Sequence, residues 1–249
     1  MRWKTPFSDL KGEKEIMALP TTKTTPRKVL SDYTILVYGR PKAGKSHLCA
    51  QIPDTLFLSC EPGTNALSVF ETRISSWPEF LEVCRSIEQE KHSFRTLVID
   101  TIDAAYRYCI EYVCRQNNIK HESDLGYGKG YALVTNEFWR VISKLAALPP
   151  GLIFISHAEE KELETRTGRI TRVVPTLPER IRKQIIGMTD FVFLFDIEQD
   201  PEGKGVRRVI RTKPCAAIEA GDRTGRLPEN IPMNWEALDA ALREAIGVE

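Results

Sequence analysis

The chain has 249 residues, 42% of them hydrophobic and 28% charged, with a formal net charge of +1 at pH 7. These values fit one large domain, or a domain with extensions, with a sizeable core, and a charge balance near zero leaves any nucleic-acid binding to local clusters. No run reaches the length of a membrane span, and the N-terminus MRWKTPFSDLKGE lacks the apolar centre of a secretory signal, so a cytoplasmic location without membrane contact is expected.

Residues 1–30 are polar, with TTKTTPRK (residues 21–28) as their most loop-like part, and read as a flexible N-terminal arm. The stretch Tyr33–Ser46, YTILVYGRPKAGKS, reads as a buried strand, a loop and the start of a helix. Its loop is G-x-x-x-x-G-K-S, the pattern whose glycines let backbone N–H groups curl inward around phosphate oxygens. The helix that follows adds its partial positive charge at the same place. Gly39, Arg40, Pro41, Lys42, Ala43, Gly44, Lys45, Ser46 and His47 are therefore the expected nucleotide-binding residues. Lys45 is expected on the β- and γ-phosphates of ATP, and Ser46 on Mg²⁺.

Asp54–Ser59 is a second strand, followed by Glu61; a helix is expected over Trp77–Gln89 and a third strand over Thr96–Asp100. A carboxylate after four apolar strand residues suits the Mg²⁺ side of a phosphate loop, so Asp100 joins Ser46 as a metal residue. Asp103 is the lesser candidate for the metal and reads first as a helix cap. Glu61 has two readings: it positions the attacking water, or it is an exposed turn residue before Pro62-Gly63. Helices are expected from about Ala104 to Arg115 and over Tyr131–Leu148, separated by a loop, Asn117–Gly130. Gly151–Ser156, Phe191–Asp196 and Val206–Thr212 read as further strands.

His157, after GLIFIS, either contacts the γ-phosphate or is solvent-exposed without a role; the other histidines read as exposed. Ala158–Thr189 reads as a long polar segment with no element of its own. Its later part carries Arg166, Arg169, Arg172, Arg180, Arg182 and Lys183, a spacing that suits a phosphate backbone or a solvated loop equally. The six cysteines (Cys49, Cys60, Cys84, Cys109, Cys114, Cys215) lack metal-ligand spacing and read as reduced buried thiols.

The strands ILV, LFL, LVI, LIFI and FVFLF are continuous apolar runs, which means burial on both faces and a largely parallel sheet. Alternation with helices gives a doubly wound α/β domain, with ligands at the carboxyl ends of the strands. In these parts and their order, over about residues 30–220, the chain resembles the RecA-like ATPases. Within them it looks most like the single-domain phage nucleotide-binding proteins of the Sak-type recombination group. The resemblance implies a catalytic glutamate at Glu61, the Mg²⁺-associated acid at Asp100 and a γ-phosphate sensor at His157, where RecA has a glutamine. It places DNA-binding loops at Asn117–Gly130, with Lys129, and at Ala158–Gly187. It also implies that Arg211 and Lys213, at a strand end, reach the nucleotide of a neighbouring subunit in a ring or filament.

The layout that follows is an arm over 1–30, an ATPase core over 31–230 and a C-terminal helix packed on it within 231–249. Its implied partners are single-stranded DNA, further copies of the chain and a single-strand-binding protein. Two other classes fit parts of the pattern: a nucleotide-gated binding module with little turnover, and a small-molecule phosphotransferase with Arg166–Lys183 as its lid. An AAA+ unloader fits least, since little chain follows the core to make a helical lid.

Overall fold

The computed structural model describes residues 19–165, 168–199, 203 and 205–247. The first 18 residues of the expected arm, and Arg166, lie outside the described residues. The strands are β1 (Thr34–Gly39), β2 (Thr55–Ser59), β3 (Phe70–Arg73), β4 (Thr96–Asp100), β5 (Gly151–Thr165), β6 (Gly168–Pro175), β7 (Phe191–Gln199), β8 (Val206–Arg211), β9 (Gly221–Asp222) and β10 (Asn230–Pro232). The helices are α1 (Lys45–Cys49), α2 (Trp77–Gln89), α3 (Ile102–Gln116), α4 (Lys129–Ala146), α5 (Glu179–Met188) and α6 (Trp235–Ile246).

The sheet runs β10-β8-β7-β1-β5-β4-β2-β3, with β6 paired to β5 and β9 to β7. From β7 through β3 the neighbours are parallel, while β8 and β10 are added antiparallel at one edge. This is the doubly wound, mostly parallel sheet that the apolar runs predict.

Because side chains alternate along a strand, each central strand feeds two cores. Leu36, Tyr38, Leu58, Ile99 and Phe154 face α2, α3, α4 and α5, where Trp77, Phe80, Phe138 and Ile181 meet them. Ile35, Val37, Phe57, Val98, Phe193 and Ile210 face α1 and α6, against Leu48, Leu238 and Leu242. Helix caps match the chemistry of their residues: Ser76 accepts from Glu79 N, Thr101 from Ala104 N, and Asn234 from Ala237 N.

Three expectations change. The segment Ala158–Thr189 is structured: β5 runs on past the sheet to Thr165, β6 returns beside it from Gly168, and α5 follows. The β5–β6 register pairs Glu160 with Val173 and Glu162 with Thr171, and the consecutive charges Glu159, Glu160, Lys161 and Glu162 put polar groups on both faces of this two-stranded ribbon. The Asn117–Gly130 loop contains a 3-10 turn, Glu122–Leu125, closed by reciprocal bonds of His121 and Asp124. The thiols are not all buried either: Cys215 is exposed and Cys84 half-buried.

Candidate nucleotide site

The residues at or just past the ends of β1, β2 and β4, with His157 of β5 level with Gly39, converge on one cleft of about 600 Å³. Gly39 ends β1 where a Cβ would stand 2.5 Å from Phe195 O, so only glycine lets the chain leave the sheet beside β7. Gly44 has φ +107, which L side chains rarely adopt, and this turns the chain into α1. Within the loop the one backbone bond among the described residues is Ala43 N to Arg40 O, 3.2 Å. The first N–H groups of α1 have no partner inside the helix.

Lys45 is 6% exposed and donates to Gly39 O (2.8 Å) and Arg40 O (3.0 Å). No carboxylate among the described residues forms an ion pair with it. Burial lowers its pKa, and the fields of Asp100, Asp103 and Glu61 oppose that shift. An ammonium held only by carbonyls, inside a phosphate loop, is a cation available to an anion.

Ser46 Oγ donates to Asp100 Oδ2 at 2.6 Å, so the two oxygens expected on the metal lie in contact. Burial raises the Asp100 pKa, against the Ser46 hydrogen bond and the Lys45 charge. Hard oxygen donors of this kind fit Mg²⁺, which is held through few protein ligands together with phosphate oxygens and water. Among the described residues no group of three or more His, Cys, Asp or Glu could hold a metal by itself. A Mg²⁺ here would thus depend on the nucleotide.

Glu61 lies half-buried beside the cleft, with Oε2 3.1 Å from His157 Nε2. A carboxylate accepts, so Nε2 is the donor in this contact, while the buried Nδ1 has no partner among the described residues. The structure thus brings together two residues that the sequence singled out separately. Asp103 is corrected from helix cap to joint. It accepts from Thr176 Oγ1, from Ser156 Oγ (3.0 Å) and from His157 N (3.2 Å), while Thr101 makes the cap.

Arg211 and Lys213 lie away from this cleft. Arg211 pairs with Asp196 (2.8 Å) and Glu198 (2.6 Å), which raise its pKa, and Lys213 pairs with the buried Asp222 at 3.0 Å. In this conformation both cations are occupied within their own chain. Among the expected DNA residues, Lys129, Arg169, Arg180 and Lys183 are exposed, and Arg172 is half-buried with bonds to Ala216 O and Cys215 O. Arg182 is a correction. It is 8% exposed, packed 3.2 Å from Glu219 and bonded to Pro175 O and Leu177 O, so it fixes the start of α5 and offers nothing to a strand of DNA. Sequence reasoning missed Arg208, which lines the cleft from β8. Its signal was only the alternation of a strand drawn too far from the loop to be connected with it.

Comparison with known proteins places these features in context. Residues 31–224 match the model of the AAA domain family (AAA_24). The SPbeta prophage-derived uncharacterized protein YorG of Bacillus subtilis (strain 168) is 29% identical over 230 residues, covering 88% of this chain and 68% of that protein. Among solved structures, a KaiC-like protein of Pyrococcus horikoshii OT3 is 12% identical with a TM-score of 0.45, covering 81% of this chain and 85% of that one. The flagellar accessory protein FlaH of Methanocaldococcus jannaschii is 13% identical with a TM-score of 0.40, covering 81% and 84%.

Proposed function

The chain belongs to the AAA domain family of P-loop ATPases, and from that premise we propose that it is a Mg²⁺-dependent ATPase. In this reading it couples ATP binding and hydrolysis to single-stranded DNA during phage-type recombination or annealing. The observation that carries the enzymatic part is the convergence of Lys45, Ser46, Asp100 and Glu61 on one cleft. Lys45 would turn from its two carbonyls to the β- and γ-phosphates. Ser46 and Asp100 would hold Mg²⁺, which supplies charge neutralisation at the phosphates. Glu61, once released from His157, would orient the attacking water, and His157 would then face the γ-phosphate.

The DNA part is supported by the exposed cations Lys129 and Arg180 outside the cleft, with Arg169 and Lys183 exposed there too but paired with Glu164 and Glu179. The phage setting is supported by the prophage origin in the name of the relative. Arg211 and Lys213 would act on a neighbouring subunit's nucleotide after leaving Asp196, Glu198 and Asp222, so hydrolysis would depend on assembly into a ring or filament. A small-molecule phosphotransferase finds less support, because the described part of its expected lid is a strand of the ribbon and a helix.

One observation favours a second reading. Glu61 sits on His157, and the two cations expected in trans are closed by their own carboxylates. A chain that stays in this arrangement is a nucleotide-gated binding module with little turnover. ATP hydrolysis with Mg²⁺, measured with and without single-stranded DNA alongside sizing, separates the readings. Stimulated turnover with assembly is expected. DNA-independent turnover removes the DNA coupling, and tight ATP binding without turnover leaves the gated module.

A further inference from the structure

The β8 strand carries three arginines, and their surroundings differ. Arg207 pairs with Glu198, and Arg211 with Asp196 and Glu198, on the face shared with Leu194. Arg208 falls on the opposite face with Ile210, the side that holds α1. Its guanidinium is exposed and has no hydrogen bond or ion pair with any described residue.

The register fixes where it goes. Gly39 is level with Phe195 and Phe195 with Ile210, so Arg208 stands two residues beyond the end of β1, above the loop. Its Nη1 lies 3.8 Å from where a Cβ on Gly44 would be, and Met233 Sδ lies 3.2 Å from the same point. Met233 is held there by its backbone N–H, which donates to Arg208 O at 3.4 Å. An exposed cation, unpaired among the described residues, and an apolar thioether thus wall one side of the phosphate loop.

The opposite side is the catalytic one. Asp100, Glu61 and His157 come from β4, β2 and β5, which lie across β1 from β7 and β8. Metal, attacking water and γ-phosphate belong there, so the α-phosphate and nucleoside leave the loop on the Arg208 side. We propose that Arg208, supplied by the same chain, binds the α-phosphate of the nucleotide, with Met233 against the ribose. This rests on the nucleotide-site reading above and adds a ground-state anchor distinct from the residues of hydrolysis. The anchor contacts a group that ATP and ADP share, so it sets nucleotide affinity and not turnover at saturation.

Titration of fluorescent ATP and ADP analogues with Mg²⁺ tests it on the parent, Arg208→Ala, Arg208→Lys and, as a reference, Lys45→Ala. Arg208→Ala is expected to weaken both nucleotides by the same factor, about tenfold, the scale of one charge-assisted hydrogen bond. Turnover at saturating ATP should stay within about twofold of the parent, and Arg208→Lys should recover part of the affinity. Unchanged affinity in Arg208→Ala, while Lys45→Ala loses it, overturns this inference and leaves the nucleotide site standing. Loss for ATP but not ADP, or lower turnover at unchanged affinity, overturns it as well by moving Arg208 to the γ-phosphate. A parent that binds neither nucleotide overturns the site reading and the inference together. Thermal melting of both Arg208 variants checks that each is folded.

Discussion

The two halves of the sheet handle charge in opposite ways. On the β1, β5, β4 and β2 side, polar groups are buried and left under-partnered: Lys45 holds only carbonyls, and Asp100 has a raised pKa beside one hydroxyl. On the β7 and β8 side, Arg207, Arg211 and Lys213 are each matched by a carboxylate of the same chain, and Arg208, which faces the phosphate loop, is the exception among the described cations of β8. The first arrangement costs stability and keeps groups ready for a ligand. The second is settled without one, and it must be opened before it can serve a neighbour. Availability, more than the number of charges, separates a site from a charged surface.

The comparison breaks most visibly at Lys45. Lys45→Ala removes the available cation, and a loss of ATP affinity and turnover of about a hundredfold or more is expected, measured by nucleotide titration and phosphate release. Turnover equal to the parent in a folded variant would mean that the under-partnered side holds no phosphate. Glu61→Gln keeps shape but not charge: turnover should fall by roughly two orders of magnitude with ATP affinity nearly intact. A change of only a few-fold would leave Glu61 as a turn residue.

Settled groups elsewhere in the fold predict stability effects instead. Arg182→Ala strands Glu219 and two carbonyls in a buried setting, a loss of about 3 kcal/mol in denaturant unfolding. Its effect on the salt dependence of DNA binding should be nil in variants that remain folded. By contrast, Arg169→Ala with Arg180→Ala should flatten the salt slope for single-stranded DNA by about 0.7 for each phosphate no longer neutralised. An identical slope would remove the ribbon and α5 from the DNA path.

The smallest effect sharpens the contrast by sign. A raised carboxylate pKa contributes stability that is present below the unfolded value and lost as pH rises through the folded one. Asp100 and Asp103 therefore make the nucleotide-free chain less stable at neutral pH than their neutral forms would. Asp100→Asn should raise its Tm by a few degrees at pH 7 while abolishing the further rise given by ATP with Mg²⁺. A lower Tm without ligand would mean that Asp100 is a settled group like Asp222.

How much of this was legible depended on range. The apolar runs gave β1, β2, β4 and the cores on both faces, because burial on two sides leaves a pattern in four or five consecutive residues. The GRPKAGKS loop was legible because its glycines answer local demands, at Phe195 and at φ +107. The β5–β6 ribbon was not, since its outer strands are polar on both faces and carry no burial period. The Glu61–His157 contact joins residues 96 apart, and Arg208 reaches Gly44 through register alone, so neither leaves a local trace. Arg182 misled for the same reason: from the sequence, a buried arginine with a distant carboxylate looks like any other arginine.

His157 also stands where β5 leaves the sheet. Below it the strand is clamped between β1 and β4; above it the strand has only β6, from Ala158 to Thr165. Mechanically that is a beam braced once more through β6, where Val173 bonds to Ala217 and Glu219 and Arg172 to Ala216 and Cys215, so the overhang from Glu162 to Thr165 is about 13 Å at 3.3 Å per residue. Asp103 pins the fulcrum through Ser156, His157 N and Thr176. A swing of about 10° at the last brace would carry the tip of such an arm through about 2 Å. Leverage of this kind turns a sub-ångström change beside Glu61 into a displacement that another molecule can register.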